Sequence, residues 1–406
     1  MLFIVTFFLI FGWKINLYLD ISAITACALS IQYLFLHKEQ YHNLKNPNII
    51  ALFLLSLYSL IIVLSTGITD IFPISRAIRA LIMLIASFSL YSLYQKHYRH
   101  PITKICEHIY LSIFAHSILM IIMYCSDSFR LFVYSFTHSS DYVNLFSPYL
   151  QGYRICGLTY GLSQTSVLQM FSLVLIPVIY KKITNKNLKN ILILSIAPIV
   201  ISSMLSGRSG LFFSIFLLPL YLFLIIKNSN YNLNNQLAFL RKTLLVIISI
   251  IILFAISFKY LPSKFHSYTL ATSQEIFAVF QNKSKTLNDV LDMYFLPNNL
   301  TATIFGLGNY GRTPTFYLPS DAGWIKSIFA IGIIGNIFML FPFIWGISQA
   351  FMLKDKLKEI SFAVIIIFLA TIMLNCKELA LLTRNQWTIQ AIFLVILSNT
   401  KYKKDV

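Results

Sequence analysis

Charge is what this chain has least of. Only 11% of its residues are Asp, Glu, Lys or Arg, and only 14 are acidic, while 57% are hydrophobic and the mean hydropathy is +0.74. No soluble domain carries so little charge over 406 residues, which excludes a sizeable soluble catalytic domain. Five cysteines (Cys27, Cys106, Cys125, Cys156, Cys376) stand apart without a CxxC pair. Neither a disulfide framework nor a zinc site is indicated, although one Cys125–Cys156 bond stays open. There is no HxxxH, DxD or carboxylate cluster to hold a metal, and no Walker A pattern for ATP, so no cofactor is expected. Met1–Phe11 has neither a positive n-region nor a small-residue cleavage site, and it reads as a short first span, not a removed signal peptide.

What the chain does have is a succession of apolar runs. They lie near 1–13, 17–36, 48–66, 74–95, 102–126, 158–180, 190–206, 210–226, 243–260, 322–349, 360–375 and 386–399, several shorter than the roughly 20 residues that cross a bilayer. The pattern predicts an all-α polytopic membrane protein of about twelve transmembrane helices, residues 1–406 forming one integral membrane domain. The loops after alternate spans are lysine-rich: His37–Asn46, Gln95–Lys104, Lys181–Lys189, Lys227–Lys242, Lys354–Lys358 and Lys401–Lys404. Together they hold 18 of the 32 Lys and Arg, and only Arg99 and Arg241 among these are arginine. Basic loops favour the cytoplasmic face, so these loops and both termini are expected there, in an inner-membrane-type protein. That face also accounts for the net charge of +18 without any nucleic acid partner.

The other side then carries two long connections, about 127–157 and 261–321, the second rich enough in aromatics to predict a partly helical loop packed on the membrane domain. It also carries seven of the nine arginines. Positive charge on the outer side runs against the insertion bias, and a bidentate donor fork for phosphate or diphosphate is the natural reason to keep it there.

Arg76 and Arg79, three apart at the outer end of a span, share one helix face, where they either bind a ligand or snorkel to headgroups. Arg208 sits in the glycine-flanked turn Ser206-Gly-Arg-Ser-Gly210, at interface depth, where arginines commonly mark a site. Arg154 opens Arg154-Ile-Cys-Gly-Leu-Thr-Tyr-Gly161 as the chain re-enters the membrane, with an interface anchor as the other reading. Arg130 and Arg384 are weaker candidates, the latter beside Lys377 and Glu378. Gly306-Leu-Gly-Asn-Tyr-Gly311 matches GxGxxG in letters only, for no βαβ unit surrounds it; a tight turn presenting Arg312 is the better account. Asp321, before the next span, is either a helix cap or a general base facing the arginines. His266, His138 and His116 are the remaining titratable candidates, and Glu275, Asp289 and Asp292 read as solvated faces of loop helices.

With these residues set out, the layout resembles the O-antigen polymerase family (the Wzy type), with O-antigen ligases and SEDS glycosyltransferases as more distant relatives. Three patches carry the likeness: Arg154-x-x-Gly157, Ser206-Gly-Arg208-Ser-Gly210, and Phe305-Gly-Leu-Gly308 with Asp321-x-Gly323 and Gly332-Ile-Ile-Gly335. The resemblance implies a metal-independent glycosyltransferase of surface polysaccharide (lipopolysaccharide) biosynthesis. It would join oligosaccharide repeat units carried on undecaprenyl diphosphate at the periplasmic face. Its partners would be that lipid-linked oligosaccharide and the membrane lipid, with room for a chain-length regulator protein. The diphosphate would fall to Arg154, Arg208 and Arg312, helped by Arg76 and Arg79, with Asp321 as catalytic base. An O-antigen ligase and a flippase for the same lipid are the alternatives. Carriers usually show internal repeats, whereas Pro177, Pro198, Pro219 and Pro342 have no symmetric partners here.

Overall fold

The computed structural model describes residues 1–13, 20–36, 45–67, 70–137, 154–159, 161–207, 209–210, 213, 241, 281, 285–313 and 316–402. Among these the chain is helical apart from one small hairpin. The elements are α1 (Leu2–Phe11), α2 (Ile21–Leu36), α3 (Pro47–Thr66), α4 (Phe72–His97), α5 (Pro101–Cys125), α6 (Asp127–Phe136), α7 (Leu162–Tyr180), α8 (Lys186–Leu194), α9 (Ile196–Ser206), α10 (Lys285–Asp292) and α11 (Leu300–Phe305). Then come β1 (Arg312–Thr313), β2 (Phe316–Tyr317), α12 (Gly323–Met352), α13 (Lys354–Leu374) and α14 (Arg384–Tyr402).

Seven segments are long and apolar enough to cross a membrane: α3, α4, α5, α7, the consecutive α8 and α9, α12 and α13; α1 and α2 are shorter apolar helices. The expected span at 243–260 lies outside the described residues, as does all of the one at 210–226 except residues 210 and 213, and so does part of each long connection. The described part of the first connection is α6 with residues 154–157, and that of the second includes α10, α11 and the hairpin.

Helix ends follow from local sequence. Asn46 caps α3 by accepting from the Asn48 amide, with Pro47 in the first turn and Gly67 closing the helix in a left-handed conformation. The expected single span at 190–206 is two helices meeting at Ser195. Pro198 supplies the reason, since it has no N–H to give to the Leu194 carbonyl.

The helices pack into two compact units. The first comprises Met1–Ile21, His100–Ser284 and Lys354–Ile366. Between membrane helices, apolar burial gives little net drive, so close packing and interhelical hydroxyl bonds set the interface. Accordingly α7 turns a fully buried polar stripe (Thr165, Ser166, Gln169, Ser172) into the unit. Ser117 on α5 donates to Gln169 at 2.7 Å, and Ser166 meets Ser203 of α9 at 2.9 Å. Lys181 and Glu359 form an ion pair of 2.8 Å in the same unit.

The second unit comprises Ser22–Arg99, Lys285–Leu353 and Ile367–Val406. Its α14 is buried nearly all round, and Trp387 donates to the Ala80 carbonyl of α4 at 2.9 Å. Asn46 at the start of α3 donates to Ser398 near the end of α14 at 2.7 Å. Exposed Ile333, Ile337 and Ile344 lie on one face of α12, and Leu57, Ile61 and Leu64 on one face of α3. Such apolar outer stripes suit lipid, not water.

α12 is interrupted at Gly332, whose φ of 61° only glycine adopts without strain. The break frees the Phe329 and Ala330 carbonyls from their helical partners. The Leu307 and Gly308 amides take them at 2.7 and 2.9 Å. Gly306 and Gly332 pack backbone on backbone, which leaves no room for a Cβ on either.

Candidate functional site

In the first unit, two of the three motif patches meet. The amide of Ile155, next to Arg154, donates to the Leu205 carbonyl at 2.9 Å, at the base of the Ser206–Gly210 turn. The turn is in turn clamped to α7. Ser166 Oγ donates to the Gly207 carbonyl at 2.6 Å and accepts from the Gly210 amide at 2.9 Å. A Cβ on Gly210 would collide with the Ser166 carbonyl, so glycine is a packing requirement there. Arg154 is half-buried at the head of this segment. Arg208 lies between the two glycines but outside the described residues.

The same segment is tied down a second time. Leu158 donates its amide to His116 Nε2 of α5 at 3.0 Å, and the Gln169 side-chain amide closes on Nδ1 at 2.9 Å. Gly157, at φ 62°, lies against the imidazole, whose other face stacks on Phe11 at 4.4 Å. Thr159 Oγ1 donates back to the Cys156 carbonyl at 2.6 Å. Tyr134 of α6 accepts from the Cys156 amide at 3.4 Å. Burial pushes the Cys156 thiol up to about 11, an inert state for a sulfur nucleophile at neutral pH. Both Cys125 and Cys156 are free thiols, so the bond left open by the sequence is not made.

In the second unit, a separate knot forms around Arg76. Asp70 accepts from the Phe72 amide at 2.9 Å, steadying the start of α4, and from the Tyr310 amide at 3.2 Å. Arg76 is 7% exposed, donates to the Leu381 carbonyl, and lies 5.8 Å from the Tyr310 ring centre. Asn375 accepts from the Ala380 and Leu381 amides, and its carbonyl receives the Trp324 amide at 3.2 Å. A cavity of about 10 Å³, bordered by Ser59, Arg76, Tyr310 and Leu382, is the size of a single water. Arg76 therefore cross-ties three chain segments inside the unit.

The other candidates stand apart. Arg79 is half-buried beside a cavity of about 310 Å³ between α2 and α4, whose walls include Ala26, Cys27, Ile78 and Met83. Arg312 is in β1, opposite Tyr317. Asp321 is exposed and accepts from Lys326 at 3.0 Å. It does not cap α12, which starts after Ala322 with no side-chain cap, the Ala322 amide going to Ser320 Oγ instead. Arg130 pairs with Asp127 at 2.9 Å within α6, and Arg384 opens α14. Asp289 and Asp292 are exposed on α10. His138, His266 and Glu275 lie outside the described residues. Among the described residues no group of three His, Cys, Asp or Glu is placed to hold a metal.

Comparison of the chain with family models, with curated proteins and with solved structures finds no match.

Three contributors were not legible beforehand. Asp70, two residues before Phe72, has the spacing of an Asx turn, which needs no long-range partner. Ser166 and Gln169 looked like ordinary polar breaks in an apolar run, and only packing reveals their partners.

Proposed function

We propose that this chain is a polysaccharide polymerase of the O-antigen type. It would join undecaprenyl-diphosphate-linked oligosaccharide repeat units at the periplasmic face of a bacterial inner membrane. Twelve spans with both termini in the cytoplasm belong to the same reading. The observation that carries it is the Ile155–Leu205 hydrogen bond, because it ties the Arg154 segment to the turn that contains Arg208. Two guanidinium-bearing segments joined at one place suit an anion with two phosphoryl groups.

In the proposed reaction the acceptor sugar's hydroxyl oxygen attacks the anomeric carbon of the donor chain. The bond from that carbon to the diphosphate oxygen breaks, and the lipid diphosphate leaves with the electron pair. Arg154 and Arg208 stabilise the departing charge. The hydroxyl proton passes to a carboxylate base. The diphosphate bond supplies the driving force, so no nucleotide is consumed. Removing one such charge contact raises the barrier by about 3 kcal/mol.

The test is reconstitution. Purified protein in liposomes, given lipid-diphosphate-linked repeat units, should build a ladder of longer glycans without nucleotide or metal. The interruption of α12 at Gly332 favours a second reading, a flippase, since carriers often use discontinuous helices. Units that change leaflet without lengthening would establish that reading. Transfer only to a lipid A-core acceptor would make the protein a ligase.

A further inference from the structure

A histidine enclosed in an apolar span is costly unless both ring nitrogens are bonded. His116 meets that condition in a particular way. It is fully buried on α5, and neither nitrogen bonds to a neighbouring turn of its own helix. Nε2 accepts the Leu158 amide, and the side-chain amide of Gln169 on α7 lies 2.9 Å from Nδ1. The imidazole thus joins α5 to α7 on one side and to the re-entering segment on the other. It does so three residues after Ile155 pairs with Leu205. Without it, the backbone from Arg154 to Thr159 would lose its tie to α5 and keep those to α9 and α6.

From this geometry we infer that His116 is a positioning residue, which sets the height of Arg154 relative to the Ser206–Gly210 turn by fixing the Leu158 amide. This inference rests on the reading of Arg154 as a diphosphate ligand. It assigns the imidazole no proton transfer and no contact with substrate. Gly157 belongs to the same device, because any larger residue would strike the ring and push the segment away.

The test uses the full chain in detergent, with farnesyl diphosphate as the probe. His116→Phe keeps a ring to stack on Phe11 but removes both nitrogens. It should weaken probe binding about tenfold, a factor worth about 1.4 kcal/mol. His116→Gln returns an acceptor to the Nε2 position and should recover most of that affinity. A purely structural histidine would lower the yield of folded protein in both variants and leave the affinity of the folded fraction unchanged. Should His116→Phe fail to fold, Gln169→Leu, which frees the ring from its other side, should show the same weakening in smaller measure. Unaltered binding in the folded variants would overturn the positioning role alone. No binding by the unaltered chain would overturn the diphosphate reading, and this inference with it.

Discussion

Arg154 and Arg76 stand in comparable places in the chain, each where a loop gives way to a long apolar helix, yet the two units treat them differently. Around Arg76 the guanidinium itself is the fastening, buried on Tyr310 and donating to Leu381. Around Arg154 the fastening runs through the backbone amides of Ile155 and Leu158, received by Leu205 and His116. An arginine that does the tying is part of the fold. Where backbone amides tie the segment instead, those ties do not depend on the side chain. The sequence context is alike in both; the hydrogen-bond partners are not.

The sharpest break of this contrast is Arg154→Ala. The ladder should fall by about 10²–10³-fold, on the scale of one lost charge-stabilising donor. The Ile155 and Leu158 backbone ties do not involve the side chain, so thermal unfolding in detergent should shift less than in Arg76→Ala. A variant that unfolds instead would put Arg154 in the same class as Arg76. Arg208→Ala, assayed alongside, should show the same separation of activity from stability.

Arg76→Ala should do the reverse. It leaves the Leu381 carbonyl buried without that donor, at a cost of about 1–3 kcal/mol, read as a lower unfolding temperature. Donor KM in the folded fraction should stay constant. Arg76→Lys should rescue poorly, because an ammonium does not reproduce the guanidinium that both donates to Leu381 and lies over Tyr310. Full stability in Arg76→Ala would show that the knot holds through Asp70 and Asn375 alone.

Much of this architecture was legible in the chain before its packing was known. Apolar runs marked ten of the segments now seen as helices, and Pro47, Pro73 and Pro101 fall in the first turns of three of them. The glycine-flanked turn Ser206–Gly210 and the tight turn at Gly306–Gly311 are readable in the sequence, and glycines of both lie against backbone. What could not be read was partnership. Nothing local separates Arg76 from Arg79, three residues on, although one is a cross-tie and the other borders an open cavity. The break in α12 was equally hidden, since Gly332 is tolerable inside a helix until the Leu307 and Gly308 amides arrive to take its carbonyls. Of the two roles the sequence leaves open for Asp321, the cap is not taken up for a similar reason: a carboxylate before a helix caps it only if the chain turns the right way, and here the carboxylate pairs with Lys326.

Asp321→Asn offers a smaller and more diagnostic effect. Its pair with Lys326 is exposed, and such pairs contribute about 0.2–1 kcal/mol, so the variant should fold almost normally. If Asp321 is the base, the ladder should drop with donor affinity intact. An undiminished ladder would remove it from the chemistry.

The last prediction involves almost no change in free energy and tests the comparison at its root, in the packing of the Arg154 segment. Cys125 at the end of α5 and Cys376 after α13 are exposed, whereas Cys156 is enclosed beside Tyr134 and Gly157. With its thiol pushed up to about 11, Cys156 is ionised in only about one molecule in a thousand at pH 8. A membrane-impermeant maleimide applied to intact cells should therefore modify Cys125 and Cys376 and spare Cys156 until the protein is denatured. Labelling of Cys156 as fast as Cys125 would mean that the segment is not seated on α5, and that Arg154 is no better fixed than a loop residue. Failure of both Cys125 and Cys376 to react from outside, with reaction after permeabilisation, would reverse the proposed sidedness. The arginines would then face the cytoplasm, where positive charge needs no ligand to explain it.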